Sequence, residues 1–462
     1  MKKRLTITII LSVLAFIGLF AAHFWINHQG QNVRMTETTL AGSYEAAKGL
    51  SVNTKVQIDY GKSCMAWHTT TMIDEKPVSE SKMLQGEPIG EEYHRFALDA
   101  LLTSGGTYIE DDSDLADGAL DLQIPEKVLQ DLATKIGPGE TIKETVDLSA
   151  YISTIQLDYI IDSYDPNQND VRELEVMQGE ENLFRSYFTV DAPETYPVTV
   201  TAEKNGAGKV DEVHYICEVE SSTSASAYVA EDCIYLAVNG YNYDGTFYPL
   251  HDSRYSGILQ IPLHQTRQLQ IREIKKLCDL PEAVFVENLS MSPDGKSLLL
   301  LTLEDGSACL SVFNKETMGL EQKINLEFTY RLYEDEITSV SVGDDYYAAI
   351  TSGGEYTILQ YADGNYTHFT NRKLDLTKLK DSHENLSLRE AAFATDFDNN
   401  KAAVSALAYS TYDEAYEIIP SYYLQVCSQD NLLYYGLFDS SLAKELAGRQ
   451  IFDYDIDMNF VH

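Results

Sequence analysis

The chain has 462 residues, 44% of them hydrophobic, and 34 basic residues against 72 acidic ones give a formal net charge of −38. A chain of this length predicts about three domains of ordinary size, or one large domain built from repeats. So negative a surface repels phosphate groups, which excludes nucleic acid as a partner. The charge favours solubility, or attraction of cations and basic partners.

The first segment of the chain is apolar. Residues 5–26, LTITIILSVLAFIGLFAAHFWI, contain no Lys, Arg, Asp or Glu and are long enough to cross a hydrocarbon core of ~30 Å. A cleavable signal peptide has a shorter apolar region, and Leu19 and Phe20 are too large for its small-residue exit site. The basic residues in MKKR, residues 1–4, hold that end in the cytoplasm. The sequence therefore predicts an uncleaved signal anchor: a single-pass plasma-membrane protein with a cytoplasmic N-terminus, the lipid bilayer as a partner through residues 5–26, and an extracytoplasmic bulk.

The six cysteines give no disulfide framework, because no CxxC motif occurs. An even number of cysteines in an exported chain permits disulfides, and Cys217 and Cys233 lie on neighbouring strand-like segments. The interpretation we favour is that all six are free thiols in the interior, since a chain of this size can bury a core without covalent cross-links.

The remaining chain divides into three predicted segments. Residues 27–38 are polar and without periodicity, which predicts a short tether. Residues 39–200 are rich in strand patterns, and they form either early repeat units or a separate α+β domain. Residues 201–462 carry a repeated β pattern. The predicted fold class is therefore mainly β, with one transmembrane helix ahead of it.

A helical insertion near residues 91–137 interrupts the first β-rich segment. One predicted helix covers Glu91 to Leu102, whose apolar residues recur at helical spacing. A second covers Ile124 to Gly139, with Pro125 in its first turn and Gly137 just past its end. Strand patterns resume after residue 144, and residues 205–208 predict the turn of a hairpin.

From residue 220 onward the chain repeats one pattern: alternating small or apolar residues, an acidic turn, then an apolar strand. The turn acids are 62, 50 and 54 residues apart along the sequence, and they are Asp232, Asp294, Asp344 and Asp398. A unit of this length and strand content is typical of a β-propeller blade, which buries its faces only by stacking on neighbouring blades.

The clearest copy is LSMSPDGKSLLLLT, with Ser-Pro-Asp-Gly at residues 292–295 and four leucines at 298–301. This copy resembles the blades of TolB-like and WD-repeat propellers, although no Trp-Asp or Gly-His signature is present. The resemblance implies a β-propeller of about seven or eight blades, some degenerate. The chain as a whole resembles uncharacterised, membrane-anchored proteins of Gram-positive bacteria with a propeller-like outer region.

Patterns that carry catalysis are missing from the sequence. HExxH, HxH and GxSxG do not occur, and the glycines at 206 and 208 lack the remainder of a phosphate-binding loop. Two acidic segments, residues 110–118 and 396–401, fail the EF-hand pattern, although calcium in another kind of loop stays open. The sequence therefore predicts no catalytic residue and no cofactor, and it favours a non-enzymatic role. The alternative is a cell-envelope enzyme, a polysaccharide hydrolase or lyase, with carboxylates drawn from separate blades.

A candidate binding loop follows the first repeat. The segment YNYDGTFYPLHDSRYSG, residues 241–257, predicts a long connection between strands with exposed aromatic and charged side chains. Such side chains bind a protein or glycan partner; the other interpretation is that tyrosine simply suits half-buried strands. The candidate binding residues are Tyr241, Tyr243, Asp244, Tyr248, His251, Arg254 and Tyr255. The predicted function is a membrane-tethered, extracytoplasmic binding, sensing or assembly module.

Overall fold

The fold is known from a computed structural model. It describes residues 18, 33–59, 64–86, 93–100, 104–108, 126–164, 174–205, 210–217, 219, 221–264, 268–281, 284–329, 337–375, 386–398, 400–412, 415–442 and 451–461. The predicted anchor, residues 5–26, lies outside these residues except for Gly18. Within the described part, no helix combines the length and the apolar character that crossing a membrane requires.

The described chain is mainly β. Its strands are β1 Met35–Gly42, β2 Leu50–Asp59, β3 Cys64–Ile73, β4 Pro77–Gly86, β5 Tyr93–Ala100, β6 Ser104–Tyr108, β7 Thr141–Asp147, β8 Thr154–Tyr164, β9 Glu175–Val176, β10 Thr189–Asp191, β11 Pro197–Lys204, β12 Val210–Cys217, β13 Ser221–Val229, β14 Cys233–Tyr243, β15 Thr246–Pro249, β16 Gly257–Pro262, β17 Gln268–Leu269, β18 Lys275–Cys278, β19 Phe285–Met291, β20 Ser297–Glu304, β21 Ser307–Asn314, β22 Leu320–Thr329, β23 Ile337–Gly343, β24 Tyr346–Thr351, β25 Glu355–Ala362, β26 Asn365–Lys373, β27 Leu386–Asp398, β28 Lys401–Tyr412, β29 Ala415–Cys427, β30 Leu432–Ser440 and β31 Ile451–Phe460. The helices are α1 Glu126–Lys135 and α2 Glu181–Arg185, with 3₁₀ turns at Tyr44–Ala47, Leu148–Ala150, Ser253–Tyr255 and Ile271–Glu273.

The chain forms two compact units. The first unit combines residues 1–89 with residues 335–462, and the second comprises residues 90–334. We expected the chain to divide near residue 200, but neither unit begins or ends there. Strands β11 and β12, which pair on either side of residue 200, belong to the second unit together with both helices.

In the first unit, the C-terminal strand lies in a sheet of early strands, and the first strand lies in a sheet of late strands. The C-terminal strand β31 joins β2, β3 and β4 in the order β31-β2-β3-β4, whereas β1 joins the late strands in the order β1-β30-β29-β28-β27. A third sheet has the order β23-β24-β25-β26, and all three are antiparallel. Each end of the described chain is thereby fixed by a ladder of backbone hydrogen bonds to a distant part of the sequence.

The first residues of β1 correct the predicted tether. Met35 pairs with Ser440, so the strand begins inside the segment 27–38, which the sequence predicted to be a short polar tether. Val33 and Met35 are buried in apolar clusters of the first unit. The sequence did not indicate strand β1, because the residues around Val33 and Met35 are polar. An edge strand can alternate polar and apolar side chains and therefore needs no long apolar run.

The second unit is also built from antiparallel sheets. Their strand orders are β6-β12-β11-β7, β13-β14-β16-β18 with β15 added on β14, β19-β20-β21-β22, and β10-β8-β5. A short parallel pair, β9 with β17, completes it. Its largest apolar cluster contains the apolar face of α1 and side chains of β8, β11, β14 and β16.

The repeated acidic turns occupy equivalent places in four sheets. Asp232 lies between β13 and β14, Asp294 between β19 and β20, and Asp344 between β23 and β24, while Asp398 ends β27 just before β28. In three of the sheets the turn joins the first two strands in chain order, and in the fourth it joins β27 and β28, the first two of the four late strands that β1 joins. The leucines at 298–301 are fully buried along β20, which explains why the run does not alternate.

One of the two predicted helices is wrong. The segment Glu91 to Leu102 contains strand β5, which pairs along its whole length with β8, from Tyr93 opposite Tyr164 to Ala100 opposite Leu157. Phe96 and Leu98 are both buried, and their spacing of two residues is that of a strand. The apolar residues of the segment also fit helical spacing, which led to the wrong prediction. Pairing with a strand about 60 residues away in sequence decided the outcome.

The second predicted helix is confirmed as α1, Glu126–Lys135. The apolar side chains expected on one face are the buried ones, and Gly137 lies just beyond the end. The strand pairing of the expected hairpin is also confirmed, because β11 and β12 pair from Val198 opposite Cys217 to Lys204 opposite Val210. Residues 206–208 of its predicted turn lie outside the described residues.

The side chain of Cys64, at the start of β3, is not described, and the other five cysteines are free thiols: Cys217, Cys233, Cys278, Cys309 and Cys427. Cys217 and Cys233 therefore do not form the disulfide that their neighbouring strands allowed. Burial raises the pKa of the Cys427 thiol, which keeps it protonated and unreactive.

Candidate functional site

The candidate binding segment is a hairpin and not the long loop that the sequence predicted. Tyr241 and Tyr243 lie within β14, which pairs with β15 from Gly240 opposite Pro249 to Tyr243 opposite Thr246. Asp244 and Gly245 form the two-residue connection, and both have positive φ, 47° and 73°. Asp-Gly suits this turn because both residues tolerate the left-handed region.

Two of the predicted binding residues are in the core. The side chains of Tyr241 and Tyr243 are 0% and 5% exposed, so neither offers a surface to a partner. The Tyr241 and Tyr196 hydroxyls are 3.3 Å apart in a buried hydrogen bond, and the Tyr243 ring centroid lies 4.8 Å from that of Tyr196. Burial raises the pKa of Tyr196 far above its ordinary value, so the Tyr196 phenol stays neutral. This part of the segment stabilises the second unit.

The other end of the segment presents charge to solvent. His251 Nδ1 lies 3.1 Å from Asp191 Oδ1, and both side chains are more than half exposed. Asp252 accepts hydrogen bonds from the backbone amide and from Nε of Arg254, at 3.0 and 2.9 Å. These bonds from Arg254 lower the pKa of the Asp252 carboxyl. The Arg254 side chain itself is 78% exposed.

An aromatic pair lies next to these charges. The rings of Tyr255 and Tyr187 are stacked, with centroids 4.0 Å apart and planes at 12°. The guanidinium of Arg254 lies 5.5 Å from the Tyr255 ring centroid, within the range of a cation–π interaction. Tyr248, on β15, is half-buried. We call Tyr187, Asp191, Tyr248, His251, Arg254 and Tyr255 the tyrosine–arginine surface.

Two members of this surface could not be identified from the sequence. Tyr187 follows α2 and Asp191 ends β10, about 60 residues before the segment that they contact. No spacing in the sequence connects them to His251 or Tyr255. The hairpin, in contrast, had a signal: Asp244 and Gly245 stand between alternating aromatic residues, which is a strong hairpin pattern.

A groove of about 400 Å³ lies between α1 and β7 in the second unit. Its charged side chains already have partners: Lys135 Nζ lies 2.7 Å from Glu144 Oε1, and the Tyr151 hydroxyl donates to Asp131 Oδ2 at 3.3 Å. Asp147 accepts the backbone amides of Ser149 and Tyr196. These pairings fix the helix on the strand.

A group of carboxyl side chains occupies the first unit. Asp345 follows β23, Asp396 and Asp398 are at the end of β27, and Asp457 is on β31, so they come from three different sheets. Burial, followed by the charges of neighbouring aspartates, raises the pKa of both Asp345 and Asp396. Among the described residues, no group of three or more His, Cys, Asp or Glu side chains has an arrangement that could hold a metal ion.

No protein-family model and no curated protein matches this chain. Solved structures with a similar arrangement of elements include TolB from Acinetobacter baumannii, at 10% identity over 92% of this chain and 82% of that chain, with a TM-score of 0.24. A putative 6-phosphogluconolactonase from Bacteroides uniformis has 10% identity over 69% and 99%, with a TM-score of 0.26. The β-propeller domain of Cps50 (Swd1) from Myceliophteria thermophila has 10% identity over 65% and 86%, with a TM-score of 0.28.

Other similar chains are matched over a smaller part. The chain spans 47% of a chain of the Mitotic Checkpoint Complex, at 11% identity over 46% of its own length and with a TM-score of 0.23. At these identities and TM-scores the similarities carry no conclusion about what this chain binds or catalyses.

Proposed function

We propose that this protein is a membrane-tethered β-propeller of about seven or eight blades that acts outside the cytoplasm as a non-enzymatic binding, sensing or assembly module. The repeated sheets, with their acidic turns in equivalent places, support the propeller. The uncharged segment 5–26 behind a basic N-terminus supports the tether and a lipid bilayer as partner. The net charge of −38 argues against nucleic acid.

The tyrosine–arginine surface is the observation that carries a binding role. It combines a stacked tyrosine pair, a guanidinium that is 78% exposed and a solvent-exposed His251–Asp191 pair at the connection between β15 and β16. Tyrosine and arginine are the residue types that contribute most at protein interfaces, and aromatic rings also contact sugars. A protein or a glycan at the outer surface is therefore the partner that we propose.

Sedimentation of the full chain with isolated cell-envelope material tests this role. Removing side chains from the surface, as R254A and Y255A, should reduce the bound fraction severalfold. Two matched controls remove the same residue types from elsewhere in the second unit: R272A, whose guanidinium is also largely exposed, and Y228A on β13. Equal losses in the surface variants and the controls would contradict the assignment.

The tether has a separate test. Protease added to intact cells should digest the region after residue 26, because that region is proposed to lie outside. Full protection of the chain, with digestion only after the cells are opened, would contradict the proposed topology whatever the binding experiment shows.

A second candidate function has one observation in its favour. Asp345 and Asp396 come from different sheets, and the pKa of each is raised, as in carboxyl groups that act as general acids. The candidate is a polysaccharide hydrolase or lyase of the cell envelope. Incubating the full chain with envelope polysaccharide should then release new chain ends, and D345N should stop the release. Absence of any release by the wild-type chain would remove this candidate.

A further inference from the structure

Strand β7 lies at the edge of its sheet. In the order β6-β12-β11-β7 it is hydrogen-bonded to β11 and, within the part of the chain that the structure describes, to no other strand. Just before β7, the Glu140 carbonyl accepts the Lys204 amide at 3.0 Å. Just after it, the Leu148 amide donates to the Tyr196 carbonyl at 2.8 Å. An antiparallel ladder bonds alternate residues, so the even-numbered residues bond to β11, and the backbone N–H and C=O of Thr145 point to the outer edge.

The groove of about 400 Å³ between α1 and β7 reaches this edge. Thr145 lines the groove, although its hydroxyl lies 3.0 Å from that of Thr199 on the next strand. Side chains alternate along a strand, so the Thr145 side chain is on the opposite face from Glu144 and Val146, and its backbone borders the groove. A volume of this size is within the range of ligand-binding clefts.

Helix α1 forms the other wall of the groove and is fixed beside the strand. The Lys135–Glu144 ion pair joins the helix to β7, and the Lys204 ammonium group donates to the carbonyls of Ala133 and Ile136 at the end of the helix. The groove is therefore formed before any partner arrives. Its wall on the helix consists of Val128, Asp131, Leu132, Thr134 and Lys135.

The charge of the groove favours a basic occupant. Its lining contains three carboxylates, those of Asp131, Glu144 and Asp147, against the one ammonium group of Lys135. Lys135 is already paired with Glu144. Asp131 accepts the Tyr151 hydroxyl, and a carboxylate offers further acceptor sites for a cation. The net charge of −38 acts in the same direction over a longer range.

We propose that the outer edge of β7 docks an extended segment of another protein, which adds to the sheet as a further strand and directs Lys or Arg side chains toward α1. In strand addition, main-chain hydrogen bonds supply affinity and every second side chain supplies specificity. Each basic side chain packs its stem on the apolar lining, at Leu132 and Val146, and brings its charge to Asp131. This site shares no residue with the tyrosine–arginine surface and does not depend on the proposed function.

Fluorescence anisotropy of the full chain with labelled synthetic peptides tests the proposal. The first probe alternates Lys and Thr over about eight residues, the length of an ordinary strand, and should bind saturably. Replacing each Lys by Glu should weaken binding about tenfold.

Two further peptides keep the positive charge and remove backbone donors. One is methylated on every Thr amide and the other on every Lys amide, and only the set that faces β7 should lose binding, by about tenfold. Equal binding of both methylated peptides and the parent would mean attraction by charge alone and would overturn strand addition.

Proline at the edge supplies the matched test on the protein. T145P removes the outward amide, which an edge strand tolerates because no ladder bond to β11 is lost. T145A loses the same hydroxyl contact with Thr199 and keeps the amide. Both variants should melt within a few degrees of each other, yet T145P should bind the Lys-Thr peptide about tenfold more weakly than T145A. Equal affinities would overturn the proposal.

Charge variants decide the outcome if T145P does not fold. D131N should weaken binding of the Lys-Thr peptide about twofold to fivefold, the range of an exposed charge pair. E203Q, which removes an exposed charge from β11, should leave it unchanged. Equal effects of the two variants would count against the groove. If no peptide binds and T145P converts a dimer into a monomer, a second copy of this chain occupies the edge, and the peptide proposal is overturned.

Discussion

Asp294 shows how one turn residue holds a repeat unit together. Its Oδ1 accepts hydrogen bonds from the Ser292 hydroxyl at 2.8 Å and from the Lys296 amide at 3.1 Å. The Ser292 hydroxyl in turn accepts the Ser297 amide at 2.9 Å, where β20 begins. Gly295 completes the turn with a φ of 70°. The side chain therefore fixes the entry to a fully buried strand, which is a structural role.

Replacing Asp294 by alanine should lower the free energy of unfolding by about 1–2 kcal/mol, because hydrogen bonds to a charged acceptor are lost. Burial alone would raise the pKa of this carboxyl, but hydrogen bonds from Lys296 and Ser292 outweigh it and hold the pKa at about 2. In the wild type, ionised Asp294 contributes this stability above about pH 4. The contribution disappears as the pH falls through the pKa of Asp294 in the folded chain. Urea denaturation at neutral and acidic pH measures both effects.

K296A is the control for that experiment, because it removes an ion pair whose lysine is 79% exposed and keeps the Asp294 carboxyl in the turn. Such a pair contributes at most about 1 kcal/mol. An alanine variant at Asp294 with unchanged stability but lost partner binding would contradict the structural role.

The tyrosines of the hairpin divide into structural and surface residues, and mutation separates them. Y241A should lower the free energy of unfolding by about 3–5 kcal/mol, because a fully buried aromatic side chain is lost. Y241F keeps the ring and should lose only about 1 kcal/mol with the hydrogen bond to Tyr196. Y255A should change stability far less than Y241A. Thermal denaturation of the three variants checks this order, and a stable Y241A would contradict it.

At the scale of elements, strand pairing decides what local patterns leave ambiguous. Strand β5 follows the spacing of a helix in sequence, yet its partner β8 makes it a strand. Helix α1 follows the same spacing and remains helical, since its apolar face packs on the sheet of β7 and β11. The two segments differ because the backbone groups of β5 form a ladder of hydrogen bonds with β8, whereas α1 satisfies its backbone groups within the helix.

Gly257, the first residue of β16, lies where β16 and β18 approach closely. It has a φ of 125°, and a Cβ there would collide with the backbone carbonyl of Cys278 on β18. G257A should therefore lower the free energy of unfolding by about 2 kcal/mol or more. In the control G245A, φ is also positive, at 73°, but nothing lies within 4 Å of the added carbon. Denaturant titration should show a clearly larger loss for G257A, and equal losses would contradict the collision.

At the scale of the whole chain, stability comes from buried apolar clusters and strand ladders, and the five cysteines with described side chains form no disulfide. Both ends of the described chain are fixed in the first unit, β1 on β30 and β31 on β2. A chain closed in this way restricts fraying from either terminus, because no end strand is held by a local neighbour alone.

Alkylation without a reducing agent checks the thiols. In denaturant, Cys217 and Cys233 should both be labelled, and mass spectrometry should detect no peptide that links them. In the folded chain Cys427 should react slowest, since its side chain is fully buried and burial raises its pKa. A linked peptide of Cys217 and Cys233 would contradict the free-thiol state.

The sequence alone determined the mainly β class, the repeated acidic turns, helix α1 and the hairpin of β11 and β12, because each depends on residues close together in the chain. It could not determine the strand β5, the start of β1 at Met35, the burial of Tyr241 and Tyr243, or the contact of Tyr187 with Tyr255. Those features depend on pairing and packing between distant segments, which only the tertiary structure supplies. The clearest case is the pairing of β1 with β30 and of β31 with β2, because the paired strands are about 400 residues apart in sequence. No local pattern can encode such a separation.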